Sequence, residues 1–228
     1  MSAFVLQAPA QASVPVVGSS ARFPVHRIYC IGRNYAEHAK EMGHAPDKGD
    51  PIFFMKPADA VVTDGRAARF ASATGNLHFE VELVVALGDG GRDVPIESAL
   101  DLVYGYAVGI DLTRRDLQTA AKNRGAPWDT AKGFDDSAPI SAIVPSAGRH
   151  PQSESLRLSV NGEVKQFTSV ADMLWSVPEI IVELSRLYEL QAGDLIFTGT
   201  PAGVGPLLPS DLVSCELEHW ATLELRFG

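Results

Sequence analysis

Residues 75–87 read GNLHFEVELVVAL, and over this stretch polar and apolar positions alternate with a period of two. As a strand, the segment places Glu80 and Glu82 on one face and Phe79, Val81 and Leu83 on the other. The apolar run 52–55 (IFFM) predicts a buried strand, and 103–110 (VYGYAVGI) predicts another that accommodates two glycines. Residues 26–31 (HRIYCI) form a short β-prone run closed by Gly32, and 195–198 form a further strand ahead of the glycine-rich loop GTPAGVGP. Asn161-Gly162 inside LRLSVNGEVKQF is a strong hairpin signal, and Asp64-Gly65 marks a second hairpin region over 58–74. The last residues alternate as one or two terminal strands.

Helical patterning is sparser. Asn34 is placed to cap a helix running to about Met42, and 95–102 predicts a short helix. Thr113, with Asp116 three residues on, predicts a helix to about Arg124 that Gly125 ends. Ser176-Val-Pro-Glu179 is a capping box with proline in the first turn. Ile180, Ile181, Leu184, Leu187 and Tyr188 form the apolar stripe behind it, with Gly193 as its stop. Many short strands, few helices and frequent glycine turns predict an α+β, mostly β chain with its helices packed outside. Residues 1–24, interrupted by Pro9 and Pro15, read as an extended arm ahead of a single domain over 25–228.

At 228 residues the chain is long enough for a sizeable core in one domain. Its formal charge of −9, with no basic cluster, argues against nucleic acid and anionic membranes as partners. An anionic small molecule stays admissible if a cation in the site reverses the local field. Cys30 and Cys215 are too few and too far apart for a disulfide framework or a structural zinc site. The N-terminal stretch has no early positive charge and no long apolar run, so a cytoplasmic protein is expected. GxSxG, HExxH and CxxC are all missing, which removes the usual signals of serine-triad and zinc-protease chemistry.

Glu80 and Glu82 carry the most pointed chemistry. Two adjacent carboxylates on an oily segment repel and are costly to bury, so they call for a cation, a shared proton or a basic partner. A hard divalent metal answers this need; a solvated edge strand is the plainer reading. His38 and Glu41 form an HxxE pair on one helical face, either an exposed ion pair or a general-base dyad. His44 lies past Gly43, too late for a third ligand on the same helix. Asp111 stands where a buried strand meets a loop and is left free by the Thr113 cap. Lys132, in PWDTAKGFDDSAP, is a surface lysine or a stabiliser of an enolate or carboxylate. Lys56 is either a site residue or, the plainer reading, a strand-end lysine reaching solvent. Thr198, Thr200 and the backbone of the glycine loop could hold a carboxylate or form a plain turn.

Taken in order, GRNYAEHAKEMG (32–43), FFMKPADAVV (53–62), NLHFEVEL (76–83), YAVGIDLTRRDLQ (106–118), PWDTAKGFDDSAP (127–139) and GDLIFTGTPAGVGP (193–206) resemble the fumarylacetoacetate hydrolase family. Within it the chain is most similar to the small acylpyruvate hydrolases. The resemblance implies a mixed β-sandwich roll with peripheral helices, commonly assembled as a homodimer. It implies Glu80, Glu82 and Asp111 as ligands of Mg2+ or Mn2+, and His38 and Glu41 as a water-activating pair on a lid segment. Lys132 matches the family's site lysine, while Arg33, Arg115, Gln118 and Thr200 match substrate-side positions. Phe79 departs from the pattern, since the family often has a second histidine there; on the strand reading it points away from the carboxylate face. The tail EHWATLEL departs too, where relatives often turn on a glycine.

The implied reaction is metal-dependent hydrolysis of the C3–C4 bond of an acylpyruvate. Fumarylpyruvate, giving fumarate and pyruvate in aromatic (gentisate) degradation, is the favoured substrate. Three carboxylates without a thiolate suit a hard ion. Decarboxylation of oxaloacetate or a related oxo acid on the same site is the alternative, and a non-catalytic oxo-acid binding protein is the third reading.

Overall fold

The glutamate-bearing strand lies inside a sheet rather than at its edge. In a computed structural model describing residues 4–228 except His44, Pro46, Asp64 and Arg66, Val81–Leu87 pairs with Val103–Ile110 on one side and Leu195–Phe197 on the other. The full six-stranded order is Val144–Pro145, Val103–Ile110, Val81–Leu87, Leu195–Phe197, Ile28–Gly32, Ile52–Lys56. Every pairing is antiparallel except the parallel one between Leu195–Phe197 and Ile28–Gly32. Gly109 sits opposite Glu82, where a Cβ would come within 2.7 Å of the Phe197 ring and 2.8 Å of Val84. The glycine is what lets these strands close on one another.

Both faces of the sheet are covered, and the period of two sorts the side chains. Val81, Leu83, Val85 and Leu87 enter one core with Leu156, Leu158, Val213 and Leu217 of a second, four-stranded sheet. Ile180, Ile181 and Leu184 of the helix Val177–Leu187 close the same core. Val84 and Ala86 enter the other, with Ile28, Cys30 and Phe197. There the strands Ser13–Pro15 and Arg22–Pro24 pair with each other and supply Val14 and Phe23. The result is mostly β with helices at its periphery, as the pattern predicts, and a sandwich, as the resemblance implies.

Several local expectations hold. Asn161 (φ 51°) and Gly162 (φ 85°) take the two left-handed positions of the hairpin joining Ser155–Val160 to Glu163–Ser169. Ser176 and Glu179 form the capping box, and Gly125 (φ 63°) ends the helix Arg115–Arg124. The segment 95–102 is a 3-10 helix, Ile96–Leu102.

Others are corrected. Ile52–Lys56 is a half-buried outer strand rather than a buried one, with Met55 38% exposed, because nothing pairs with its far side among the described residues. Val61–Val62 pairs in parallel with Ala138–Pro139 instead of forming a local hairpin; Asp64 of the expected turn, like His44, lies outside the described residues. The last long helix ends at Leu187, with Tyr188 extended, so Gly193 (φ 97°) serves the turn into Leu195–Phe197. Neither Asn34 nor Thr113 caps a helix. Asn34 is fully buried, donating to the Trp175 and Thr198 carbonyls and accepting from the Trp175 N–H. A longer-range set of partners outcompetes the local cap.

Candidate active site

Glu80 occupies the single-residue break between Leu77–Phe79 and Val81–Leu87. Asp111 follows Val103–Ile110, and its N–H donates to the Glu80 carbonyl at 2.8 Å, which locks the two strand ends together. Glu82 projects beside them. The three side chains bring carboxylate oxygens within 4.8 Å of one another, and the residues are only 5%, 1% and 1% exposed. Phe79 points to the opposite face, buried against Gly205 in the first core.

Three cations compensate this cluster unevenly. Lys132 Nζ donates to Glu80 Oε2 (2.8 Å), Asp111 Oδ2 (2.5 Å) and Thr113 Oγ1 (2.6 Å). Arg115 pairs with Glu80 Oε1 and donates to Gln118 Oε1 at 2.6 Å. Lys56 Nζ lies 2.8 Å from Asp111 Oδ1 and donates to the Leu112 and Lys132 carbonyls. Among the described residues Glu82 receives only the Gly199 N–H, at 2.7 Å.

The acidities follow. Burial pushes the Glu82 carboxyl well up, and the charges of Asp111 and Glu80 add to that. Burial works the same way on Glu80, but Lys132 and Arg115 outweigh it and hold that carboxyl below the ordinary range. Lys132 is buried too, yet Asp111 and Glu80 keep its ammonium above the usual lysine value. A buried set of three carboxylates with no sulfur, one of them without an ion-pair partner among the described residues, fits a hard divalent ion such as Mg2+ or Mn2+.

His38 lines the same pocket from the short helix Ala36–Glu41, with Glu41 behind it. His38 Nδ1 is 3.0 Å from Glu41 Oε2, and Glu41 Oε1 accepts the Gly203 N–H at 3.1 Å, tying this helix to the glycine loop. With Nδ1 donating to the carboxylate, Nε2 is the ring's free acceptor. Arg33, Arg115, Gln118 and Thr200 line the pocket as well, beside His38, Glu80, Glu82, Asp111 and Lys132, while Glu41 reaches it through His38. Thr200 Oγ1 accepts from Gln166 Nε2 at 2.9 Å. Free space among these side chains is about 40 Å3, room for a few water molecules.

Thr113, His78, Lys122 and Gln166 belong to the site and were not anticipated in it, and Lys56 belongs to it against the plainer reading. Lys56, expected in solvent, has a fully buried side chain because Asp111 and two carbonyls replace its hydration. Thr113 donates to the Asp111 carbonyl at 3.1 Å while accepting from Lys132. His78 shares strand parity with Glu80 and Glu82, a signal legible in the alternation. Its Nδ1 accepts from Arg115 at 3.4 Å, and burial, then Arg115, bring its pKa down to about 4. Gln166 reaches in from the second sheet, accepting the Val81 N–H and donating to Thr200 and the Pro201 carbonyl. No spacing marks it, since it comes from a sequence-distant hairpin.

Residues 27–227 match the family model described as fumarylacetoacetate (FAA) hydrolase C-terminal. Fumarylpyruvate hydrolase from Ralstonia sp is 41% identical over 189 residues, 82% of this chain and 98% of that protein. The mitochondrial oxaloacetate tautomerase of Arabidopsis thaliana is 44% identical over 182 residues, 79% of this chain and 81% of that protein. The crystal structure of fumarylpyruvate hydrolase from Pseudomonas aeruginosa in complex with Mn2+ and pyruvate is 44% identical, with a TM-score of 0.95 over 99% of each chain.

Proposed function

The chain belongs to the fumarylacetoacetate hydrolase family, and from that premise we propose that it hydrolyses the C3–C4 bond of an acylpyruvate, with fumarylpyruvate as the preferred substrate. The observation that carries the proposal is that His38, paired with Glu41, lines one pocket with the buried Glu80, Glu82 and Asp111. Proton transfer, charge stabilisation and substrate binding can then act on a single small molecule.

In this reading His38 Nε2 takes a proton from water while Glu41 fixes the ring and stabilises the imidazolium. The water oxygen adds to C4 and the C3–C4 bond breaks. Its electron pair stays with the pyruvate fragment as an enolate, which is protonated at C3. The acyl half leaves as a carboxylic acid, fumarate when the acyl group is fumaryl. Lys132 sets a buried positive charge where that enolate develops, the point at which stabilisation accelerates the reaction. A divalent ion held by Glu80, Glu82 and Asp111, when bound, supplies Lewis acidity to the carboxylate and 2-keto oxygens of the substrate. Arg33, Arg115, Gln118 and Thr200 position the substrate. Ala36–Glu41 carries His38 at the wall of the pocket and serves as the lid segment over the substrate. A cytoplasmic homodimer serving aromatic (gentisate) degradation completes the proposal. No helix among the described residues is long and apolar enough to cross a membrane.

Chemistry on oxaloacetate is the second reading, favoured by the 44% identity to an oxaloacetate tautomerase. Tautomerisation and decarboxylation both work through an enol or enolate and need no attacking water. Metal-stripped protein mixed with fumarylpyruvate, with and without Mg2+ or Mn2+, separates the two. Metal-dependent loss of the ultraviolet absorbance with equal pyruvate and fumarate supports the hydrolase. No loss from folded, metal-loaded protein, together with turnover of oxaloacetate, overturns it.

A further inference from the structure

Two cations of the pocket are not consumed by its carboxylates. Lys56, Arg115 and Lys132 are ion-paired with Glu80 or Asp111. Arg33 and Lys122 line the same pocket, and neither side chain has a hydrogen-bond or ion-pair partner among the described residues. Both are partly buried. A cation that is half withdrawn from water and unpaired is a standing electrostatic cost, which a bound anion relieves.

Two aromatic rings lie between Lys122 and the lysine that grips the carboxylates. Lys132 Nζ lies 4.9 Å from the centre of the Phe54 ring, Phe54 lies 5.9 Å from Trp128, and Lys122 Nζ lies 5.1 Å from Trp128. Phe54 and Trp128 thus form an apolar wall with the carboxylate cluster at one end and Lys122 at the other. Burial, then the positive charges of Arg115 and Arg33, bring the Lys122 pKa down to about 8, which shows how closely these cations crowd the same space.

The function proposed above supplies the head of the substrate; this arrangement specifies its tail. We propose that Arg33 and Lys122 receive a carboxylate at the far end of the acyl chain, and that Lys122 sets a preference for acylpyruvates ending in a carboxylate over those ending in a neutral alkyl group. The acyl chain lies along Phe54 and Trp128 between the two charged ends. Lys122, on the helix Arg115–Arg124, is the specificity residue because its half-buried ammonium lies over the Trp128 ring with no ion-pair partner among the described residues.

The test uses ligands that cannot be hydrolysed, so its outcome does not depend on turnover. Calorimetric titration of the Mg2+-loaded wild type with 2-oxopimelate and 2-oxoheptanoate compares chains as long as fumarylpyruvate, with and without a terminal carboxylate. The wild type is expected to bind 2-oxopimelate at least about tenfold more tightly, K122M to lose most of that preference, and K122E to reverse it. Binding of 2-oxoheptanoate is expected to be unchanged in K122M. Equal binding of the two ligands by the wild type, or the same preference surviving in K122M, overturns the inference. Failure of the protein to hydrolyse fumarylpyruvate, with the K122M effect intact, rejects the hydrolase reading alone.

Discussion

Lys56 and Asp111 are ion-paired at 2.8 Å with both side chains closed to solvent. Neither has water to fall back on, so each depends on the other for compensation. Replacing Lys56 by methionine preserves most of the stem and removes only the charge. K56M is expected to lose about 3 kcal/mol of stability, at the lower end for breaking a buried pair because Lys132 still serves Asp111. Urea denaturation without divalent ions measures this, and a loss below about 1 kcal/mol would show that the pair is not structurally required.

Glu82 gives the opposite sign. The native state holds its proton more tightly than the unfolded chain does, because of burial and the charges of Asp111 and Glu80. The stability it contributes is therefore complete below the ordinary carboxylate pKa of about 4.3 and is lost progressively as the pH rises through the raised native value. At neutral pH and without divalent ions, E82Q is expected to be at least as stable as the wild type, since its amide oxygen can still accept the Gly199 N–H. Added Mn2+ should raise the melting temperature of the wild type and not that of E82Q. A clear loss of stability in ion-free E82Q would contradict this account.

Glu41 orients His38 and also accepts the Gly203 N–H. E41Q keeps the side chain's shape but removes the charge that favours the imidazolium. Hydrolysis of fumarylpyruvate, followed by pyruvate release, is expected to slow by about 100-fold or more, chiefly in kcat. Oxaloacetate turnover, where present, should be far less affected because it needs no activated water. Parallel losses on both substrates would assign the pair a structural role.

The two thiols should be silent. Burial first, then the charge of Asp111, pushes the Cys30 thiol up, and burial alone does so for Cys215. Both residues are closed to solvent and unpaired. A thiol-reactive disulfide reagent is expected to modify neither in the native protein and both after denaturation. Rapid native labelling would show that one of the cores opens.

Much of this site can be read from the sequence because its chemistry sits at points the local pattern marks. Glu80 and Glu82 share the polar face of an alternation, Asp111 ends an apolar run, and His38 and Glu41 share a helical face. The capping box at Ser176 and the Asn161-Gly162 turn are equally local, and the structure keeps both. What the sequence hides is set by partners far along the chain. Lys56 looks like a surface lysine until Asp111, 55 positions later, takes the place of water. Asn34 and Thr113 have the right identity for helix caps, but Trp175 and Thr198 claim the first, while Asp111 and Lys132 claim the second. Gln166 has no local signature because its three partners all lie on other segments.

Lys132 takes part in the site at both ends: its ammonium grips Glu80 and Asp111, while its own carbonyl accepts the Lys56 ammonium. The short helix Asp129–Lys132 is thereby buckled to the strands it crosses by the same charges that shape the ion site. Ligand occupancy and the order of this loop are two readings of one equilibrium. Amide deuterium uptake over residues 129–133 should accordingly fall when Mn2+ is added, giving a backbone gauge of the site that needs no substrate.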